Sequence, residues 1–149
     1  MALPLQKFRE MVFQMLFCCE FSGSEEADVA SMLMHELEVP KRVALEAYRR
    51  VQIILEKLPE IDAKITDASA EYQFERISRI EKNVLRLGIF ELFYDETIPW
   101  KVAIAEAIRL CRKFGTPESA HFVNAILDSI YKGSTSTCLS VSASSAENS

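Results

Sequence analysis

Two histidines, His35 and His121, are all that this sequence of 149 residues offers for imidazole chemistry. His121 follows Glu118 at a Glu-x-x-His spacing, which places a carboxylate and an imidazole on one helical face, as in di-iron bundles. Such a site needs a second copy of the pair, whereas Met32 stands three residues before His35. Glu118 is better explained as a carboxylate at the positive end of a helix, so we predict no metal site.

The cysteines and glycines offer no stronger catalytic pattern. Cys111 with His121 would supply a nucleophile and a base, but Cys111 falls on an apolar helical stripe, which favours a buried structural thiol. The four cysteines contain no Cys-x-x-Cys pair, which is typical of reduced residues. The four glycines are isolated, whereas a phosphate-binding loop or a dinucleotide fingerprint needs several at fixed spacing. We therefore predict a protein that is not an enzyme and that holds no cofactor.

Cations at helical spacing are the main candidates for binding chemistry. Arg79, Lys82 and Arg86 follow one another at steps of three and four, with Phe90 one turn further, so they share one helical stripe. Cations beside aromatic rings suit single-stranded nucleic acid, because the cations neutralise phosphates while the rings stack on bases. A solvated helix face is the alternative, and the net charge of −5 leaves both interpretations open. Further cations form a short amino-terminal arm and a second patch, at Lys7, Arg9, Lys101, Arg109, Arg112 and Lys113.

The elements that would carry these residues all have the periodicity of α-helices. Apolar residues recur at steps of three and four along most of the chain, and β-branched alternation is absent. We predict one helical domain at residues 1–132 and, because its composition is rich in Ser and Thr, a disordered tail at 133–149. The predicted helices span about 5–22, 24–37, 40–58, 60–70, 74–94, 100–114 and 117–132, and 74–94 should be the most buried.

Membrane insertion and secretion find no support in the sequence. No apolar run approaches the roughly 20 residues that cross a bilayer. The amino-terminal residues lack the succession of basic start, apolar stretch and small-residue cleavage site of a secretory signal. We expect a cytoplasmic protein with no membrane partner.

Three ordered stretches of the sequence resemble the NusB family of bacterial transcription antitermination factors over nearly all of residues 5–132. The first has Arg, then Gln, then Leu followed by an aromatic, as in the opening helix of that family. The second covers the long middle helix and the start of the next, and the third is similar to the family's closing signature. The stretches are REMVFQMLF (9–17), IEKNVLRLGIFEL (80–92) followed by IPWKVAIAEA (98–107), and KFG (113–115) leading to FVNAILD (122–128).

The resemblance implies about seven helices in two packed three-helix groups, the second extended by a further helix. It also implies binding of the single-stranded boxA element of nascent ribosomal RNA transcripts together with the ribosomal protein NusE, in a complex with RNA polymerase that suppresses termination. Residues that would face RNA are Lys7, Arg9, Lys82, Arg86, Glu118 and Phe122, to which the cationic stripe adds Arg79. Residues nearer the protein partner would be Phe17, Glu81 and Leu85. We expect the cations of the middle helix to converge with the amino-terminal arm into one patch.

Two other functions stay open at this point. A related helical domain precedes the catalytic part of some ribosomal-RNA cytosine methyltransferases, although that activity needs a Rossmann-like cofactor domain. Some members of the family pair through the surface that meets RNA, so a protein-only scaffold or a homodimer is the second alternative.

Single positions also depart from the family, since Ala105 and Ala125 replace its common Asn and Gly. Phe122 is equally compatible with core packing and with base stacking.

Overall fold

Every regular element that the structure describes is a helix. The structure, a computed structural model, describes residues 5–22, 40–69 and 73–147, with side chains at 5–19, 40–69 and 73–134. The all-α prediction is confirmed for these residues, and the helix predicted at 24–37 lies outside them. The elements are α1 (Leu5–Ser22), α2 (Lys41–Glu56), α3 (Leu58–Ala68), a short 3₁₀ helix (Phe74–Arg76), α4 (Arg79–Tyr94), α5 (Trp100–Phe114) and α6 (Pro117–Glu147).

Helix α4 lies at the centre of the bundle, as the sequence predicted. It contacts α1, α2 and α3 as well as α5 and α6, so it joins the two helical groups. Its side chains are buried over most of its circumference. A Cβ placed on Gly88 would lie 3.0 Å from Leu127 Cδ1 and 3.6 Å from Ala107 Cβ, so a glycine at this point lets α4, α5 and α6 approach closely.

The start of α4 differs from the sequence-based prediction, which extended one helix from Phe74. Ile77 and Ser78 are extended, and the helix begins at Arg79. Ser78 Oγ accepts a hydrogen bond from the Glu81 backbone N–H at 3.2 Å, and the Ser78 N–H donates to Glu81 Oε1 at 3.3 Å. This reciprocal capping box satisfies two backbone donors at the helix end, which favours a new helix over continuation of the previous turn.

Helix α1 runs antiparallel to α4 and parallel to α5. Arg9, near the start of α1, contacts Glu91, near the end of α4. Along α5 the contacts advance in the same direction as α1, because Lys113 reaches Glu10 and the Phe13 and Phe114 ring centroids lie 5.1 Å apart. The beginning of α1 and the beginning of α4 therefore lie towards opposite ends of the bundle.

The start of α6 agrees with the prediction, but its end does not. Thr116 Oγ1 accepts from the Ser119 backbone N–H at 3.1 Å, with Pro117 as the first helical residue. The helix continues through Gly133 to Glu147, beyond the end that we predicted at residue 132. A single glycine costs a helix only about 1 kcal/mol, and no proline follows Gly133 to stop it.

None of the helices in the described part of the chain combines the length and apolarity that crossing a bilayer requires.

Candidate nucleic-acid interface

One end of the bundle brings cationic, acidic and aromatic side chains together. The 3₁₀ helix, the start of α4 and the start of α6 meet there, around a cavity of about 160 Å³ that is lined by Arg76, Ile77, Glu81 and Phe122. Lys82 follows Glu81 on α4, and Glu118 lies one turn before Phe122 on α6. We call this group the α6 pole and define it by Arg76, Glu81, Lys82, Glu118 and Phe122.

Lys82 and Arg86 differ in how much of their charge remains available. The Lys82 ammonium lies 4.4 Å from the centroid of the Phe74 ring, and the side chain is half-buried. Such a cation–π contact orients a charge without neutralising it. Arg86 donates to both carboxylate oxygens of Asp62 on α3 at 3.0 Å, and its side chain is only 11% exposed. Arg86 therefore links α3 to α4, and Lys82 is the stronger candidate for a phosphate contact.

The remaining residues that we predicted to face RNA, apart from Arg9, are accessible. Lys7 and Arg79 are exposed, as is Glu118 in the first turn of α6. Phe122 is half-buried, because part of its ring packs against the hydrophobic core while the residue also lines the cavity. Core packing and an accessible ring therefore coexist at Phe122.

Arg9 is part of a buried ion pair, which does not support its assignment to an RNA-binding arm. Its Nε lies 2.6 Å from Glu91 Oε1, its Nη1 lies 3.4 Å from Glu106 Oε1, and the side chain is 8% exposed. Burial raises the pKa of Glu91, and the hydrogen bond and charge of Arg9 oppose that rise. The Arg9 guanidinium thus stabilises the fold, because it compensates the charge of a buried carboxylate.

The predicted convergence of the middle-helix cations with the amino-terminal arm was wrong. Lys82 and Glu91 are nine residues apart on α4, which places them on opposite sides of the helix, about 180° apart. Glu91 faces α1, whereas Lys82 contacts the 3₁₀ helix. Lys7 lies about four turns before the end of α1, the end that approaches the α6 pole, so it is no immediate neighbour of Lys82.

The three residues that we predicted to lie near a protein partner have different surroundings. Leu85 is 0% exposed and belongs to the core, so the structure does not support its placement on an interface. The half-buried Phe17 ring lies 6.3 Å from that of Phe13, near the same end of the bundle as the α6 pole. Glu81 takes part in the capping box and lines the cavity with Phe122, so it is a neighbour of the residues expected to face RNA.

Three further cations lie at this end of the bundle, and none of them was among the residues that we expected to face RNA. Arg112 and Lys113 occupy the last turn of α5, one short loop before α6, and both are exposed. Arg76 is exposed on the 3₁₀ helix. The signal for Arg76 was the Ser78-x-x-Glu81 capping motif, since a helix that starts at Arg79 frees the preceding turn to fold towards α6.

The side chains considered for catalysis are unsuited to it. Burial, followed by the charge of Glu81, raises the pKa of the Cys111 thiol to about 12, which removes the reactive thiolate at neutral pH. Glu118 and His121 are both exposed, and the described residues contain no group of three His, Cys, Asp or Glu side chains that could hold a metal ion.

Comparisons with known proteins point to one family. The model of the NusB family matches residues 6–132. The transcription antitermination protein NusB of Chlamydia pneumoniae is 40% identical over 131 residues, which cover 88% of this chain and 82% of that protein. The solved structure of T. maritima NusB has a TM-score of 0.75 at 36% identity and covers 89% of this chain and 93% of its own. A crystal structure of the antitermination factors NusB and NusE in complex with dsRNA, at 23% identity, shares the fold, with a TM-score of 0.74 over 86% of this chain and 96% of that one.

Proposed function

The chain belongs to the NusB family, and from that premise we propose that it is a transcription antitermination factor. In this proposal it binds boxA-type single-stranded RNA of nascent ribosomal RNA transcripts together with the ribosomal protein NusE. Relatives bear the name of transcription antitermination proteins, and a protein of the same fold forms a complex with NusE and dsRNA. The role is one of binding, without catalysis.

The observation that carries the proposal is the position of Lys82 and Phe122 at the same end of the bundle. Lys82 offers an ammonium that no carboxylate of the described residues neutralises, and Phe122 offers a half-buried ring beside a cavity. Affinity for single-stranded nucleic acid requires both phosphate neutralisation and base stacking. These two side chains supply both near the start of α6.

The RNA path that we propose extends from the α6 pole along α5. Arg79, Lys82, Glu118 and Phe122 form its centre, and the exposed Arg112 and Lys113 continue it. Lys7, which lies about 15 Å before Phe17 along α1, makes an outlying phosphate contact. Phe17 lies at the edge of the α6 pole. A protein partner bound there would contact both this chain and the RNA.

The same proposal has consequences for assembly and location. It places the protein in the cytoplasm, in a complex with RNA polymerase on nascent transcripts. It also makes a homodimer through the α6 pole incompatible with RNA binding, because the dimer would cover Lys82 and Phe122. Light scattering with and without boxA RNA tests this, since a dimer that persists unchanged in the RNA complex cannot use that surface.

A comparison of two lysines tests the proposed surface. Lys82→Ala should weaken binding of boxA RNA about fivefold at 0.1 M salt and lower the salt slope by about 0.7, as expected for one lost phosphate contact. Lys57→Ala is the matched control, because the Lys57 ammonium also lies over an aromatic ring, that of Tyr94 at the opposite end of α4. Fluorescence anisotropy with and without NusE gives the affinities, and circular dichroism checks the fold. Absence of RNA binding by the unmodified protein, even with NusE, overturns the proposed function.

A further inference from the structure

We propose that the cavity beside Phe122 holds one nucleotide, whose phosphate is bound by Arg76 and whose base is selected by Glu81. This inference rests on the proposed RNA-binding function and adds to it two contact residues and a class of base. Neither side chain was expected to face RNA, since Arg76 was given no role and Glu81 was assigned to a protein partner.

The cavity has the surfaces that a nucleobase requires. Its volume of about 160 Å³ is enough for one planar base, and Ile77, which is 6% exposed, gives it an apolar wall. Phe122 contributes an aromatic ring that is half-buried and therefore held in place. A base has apolar faces and a polar edge, so an aromatic and an aliphatic wall with polar groups at the rim match its shape and chemistry.

Arg76 is the cation at the rim of this cavity, and its charge is available. Within the described residues, its guanidinium forms no ion pair, hydrogen bond or ring contact. Arg9, Arg86 and Arg109, in contrast, each donate to at least one carboxylate. A guanidinium that keeps its donors unpaired at an exposed rim is well suited to a phosphate, which it can bind through two parallel hydrogen bonds.

Glu81 fixes the direction in which a nucleotide can enter. Glu81 lines the cavity, where the negative charge of its side chain excludes the phosphate and accepts hydrogen bonds from N–H groups. Oε1 already accepts from the Ser78 backbone N–H at 3.3 Å, which holds the carboxylate in position. The base therefore enters with a donor edge towards Glu81, and the phosphate stays outside at Arg76. Adenine, cytosine and guanine carry an exocyclic amino group on that edge. Uracil has none, and its one donor there, N3–H, lies between two carbonyl oxygens that the carboxylate repels.

The phosphate contact is tested on the full chain with boxA RNA. Arg76→Ala should weaken binding about fivefold at 0.1 M salt, lower the salt slope by about 0.7, and weaken all RNA sequences equally. Arg76→Lys should keep the slope, and Arg42→Ala, at an exposed arginine of α2, should change nothing. If Lys82→Ala weakens binding but Arg76→Ala does not, the inference fails while the proposed function stands. If the unmodified protein binds no RNA, the proposed function fails first.

The base preference is tested by replacing each nucleotide of the boxA RNA with uridine in turn. At one position the unmodified protein should lose about tenfold in affinity when an amino-bearing base is replaced. Glu81→Gln should abolish that discrimination at that position alone, because a glutamine amide both donates and accepts. Glutamine also preserves the capping box, so α4 should begin unchanged. Discrimination that is the same in the Glu81→Gln variant overturns the assignment of Glu81.

Discussion

Two charged regions of this protein contain the same residue types and use them in opposite ways. The first, which we call the ionic seam, joins α1 to α4 and α5 and consists of Arg9, Glu10, Glu91, Glu106, Arg109 and Lys113. Every cation in it lies within hydrogen-bond distance of a carboxylate. In the α6 pole, by contrast, Lys82 lies on an aromatic ring and Arg76 has no partner among the described residues. Pairing and burial, rather than residue type, separate a structural charge from one that is available for a ligand.

The pKa values of the carboxylates in the ionic seam reflect their pairing and burial. Burial tends to raise the pKa of Glu10, but hydrogen bonds from Lys113 and Arg109 outweigh it, so the pKa is lowered. Glu106 has the same balance, with Arg109 and Gln6 as donors. At Glu91 burial prevails over Arg9, and the pKa is raised. The seam is therefore a set of groups whose ionisation is coupled to folding.

The strongest test of the seam removes its most buried cation. Arg9→Ala should lower the free energy of unfolding by about 3–5 kcal/mol at neutral pH, because it leaves Glu91 buried without a partner. Since the pKa of Glu91 is raised, protonation relieves that cost, and the loss should shrink as the pH falls towards and below the ordinary value of 4.5. Urea unfolding as a function of pH measures both effects.

A double variant keeps this prediction specific to the charge pair. Arg9→Met combined with Glu91→Leu should recover most of the stability, because paired apolar side chains remove the buried charge altogether. A second outcome would instead assign Arg9 to the RNA-binding surface. If Arg9→Ala were as stable as the unmodified protein yet bound boxA RNA weakly, Arg9 would belong to the RNA surface as the sequence first indicated.

At the α6 pole, the largest effect should come from the aromatic ring. Phe122→Leu keeps an apolar side chain against the core but removes the stacking surface, so it should cost about 1–3 kcal/mol of RNA-binding free energy. The free energy of unfolding should change less than the binding free energy. Calorimetric titration and urea unfolding of the same samples separate the two. A loss of stability with unchanged affinity would assign Phe122 to the core alone.

The sequence was sufficient for most of the fold, because the helix signals are local. Thr116 and Pro117 marked the start of α6, and the apolar positions of residues 80–92 identified α4 as the central helix. The start of α4 was missed although its signal was present, since Ser78-x-x-Glu81 is a capping box that outweighs the apolar periodicity on either side. The end of α6 had no such signal, because Gly133 neither adopts a left-handed conformation nor precedes a proline.

The binding surface was harder to predict, because it depends on pairing across long sequence separations. The sequence shows Arg9 as one cation of a basic arm, and its partner Glu91 lies 82 positions away. A weak signal existed, since Glu91 interrupts an apolar run on a helix expected to be buried, and a buried carboxylate needs a buried cation. Arg76 shows the converse case. Its place beside Phe122 follows from the turn at Ile77 and Ser78, which a continuous helix would have abolished.

The contribution of Glu10 to the ionic seam should be smaller than that of Arg9, and acid unfolding measures it. Glu10→Gln should cost about 1 kcal/mol of stability at pH 7, since it weakens the charge-assisted hydrogen bonds from Arg109 and Lys113. The folded-state pKa of Glu10 is lowered, so its contribution is present above the ordinary value of 4.5 and disappears as the pH falls through the folded value. The two proteins should therefore become equally stable in acid. A constant difference between their unfolding curves at every pH would attribute the effect to packing.

The smallest effect is expected at Lys113, which lies where the seam meets the proposed RNA path. Its Nζ lies 2.8 Å from Glu10 Oε2, yet its side chain is 54% exposed. Exposed ion pairs contribute little, so Lys113→Ala should change the free energy of unfolding by less than about 1 kcal/mol. On the proposed path, RNA has to compete with Glu10 for this ammonium, so the variant should lower the salt slope of RNA binding by less than the roughly 0.7 expected for Lys82→Ala. Anisotropy titrations of both variants over a range of salt concentrations compare the slopes directly. Equal slopes would show that pairing with a carboxylate does not withhold a charge from RNA, and the distinction between the two regions would then rest on burial alone.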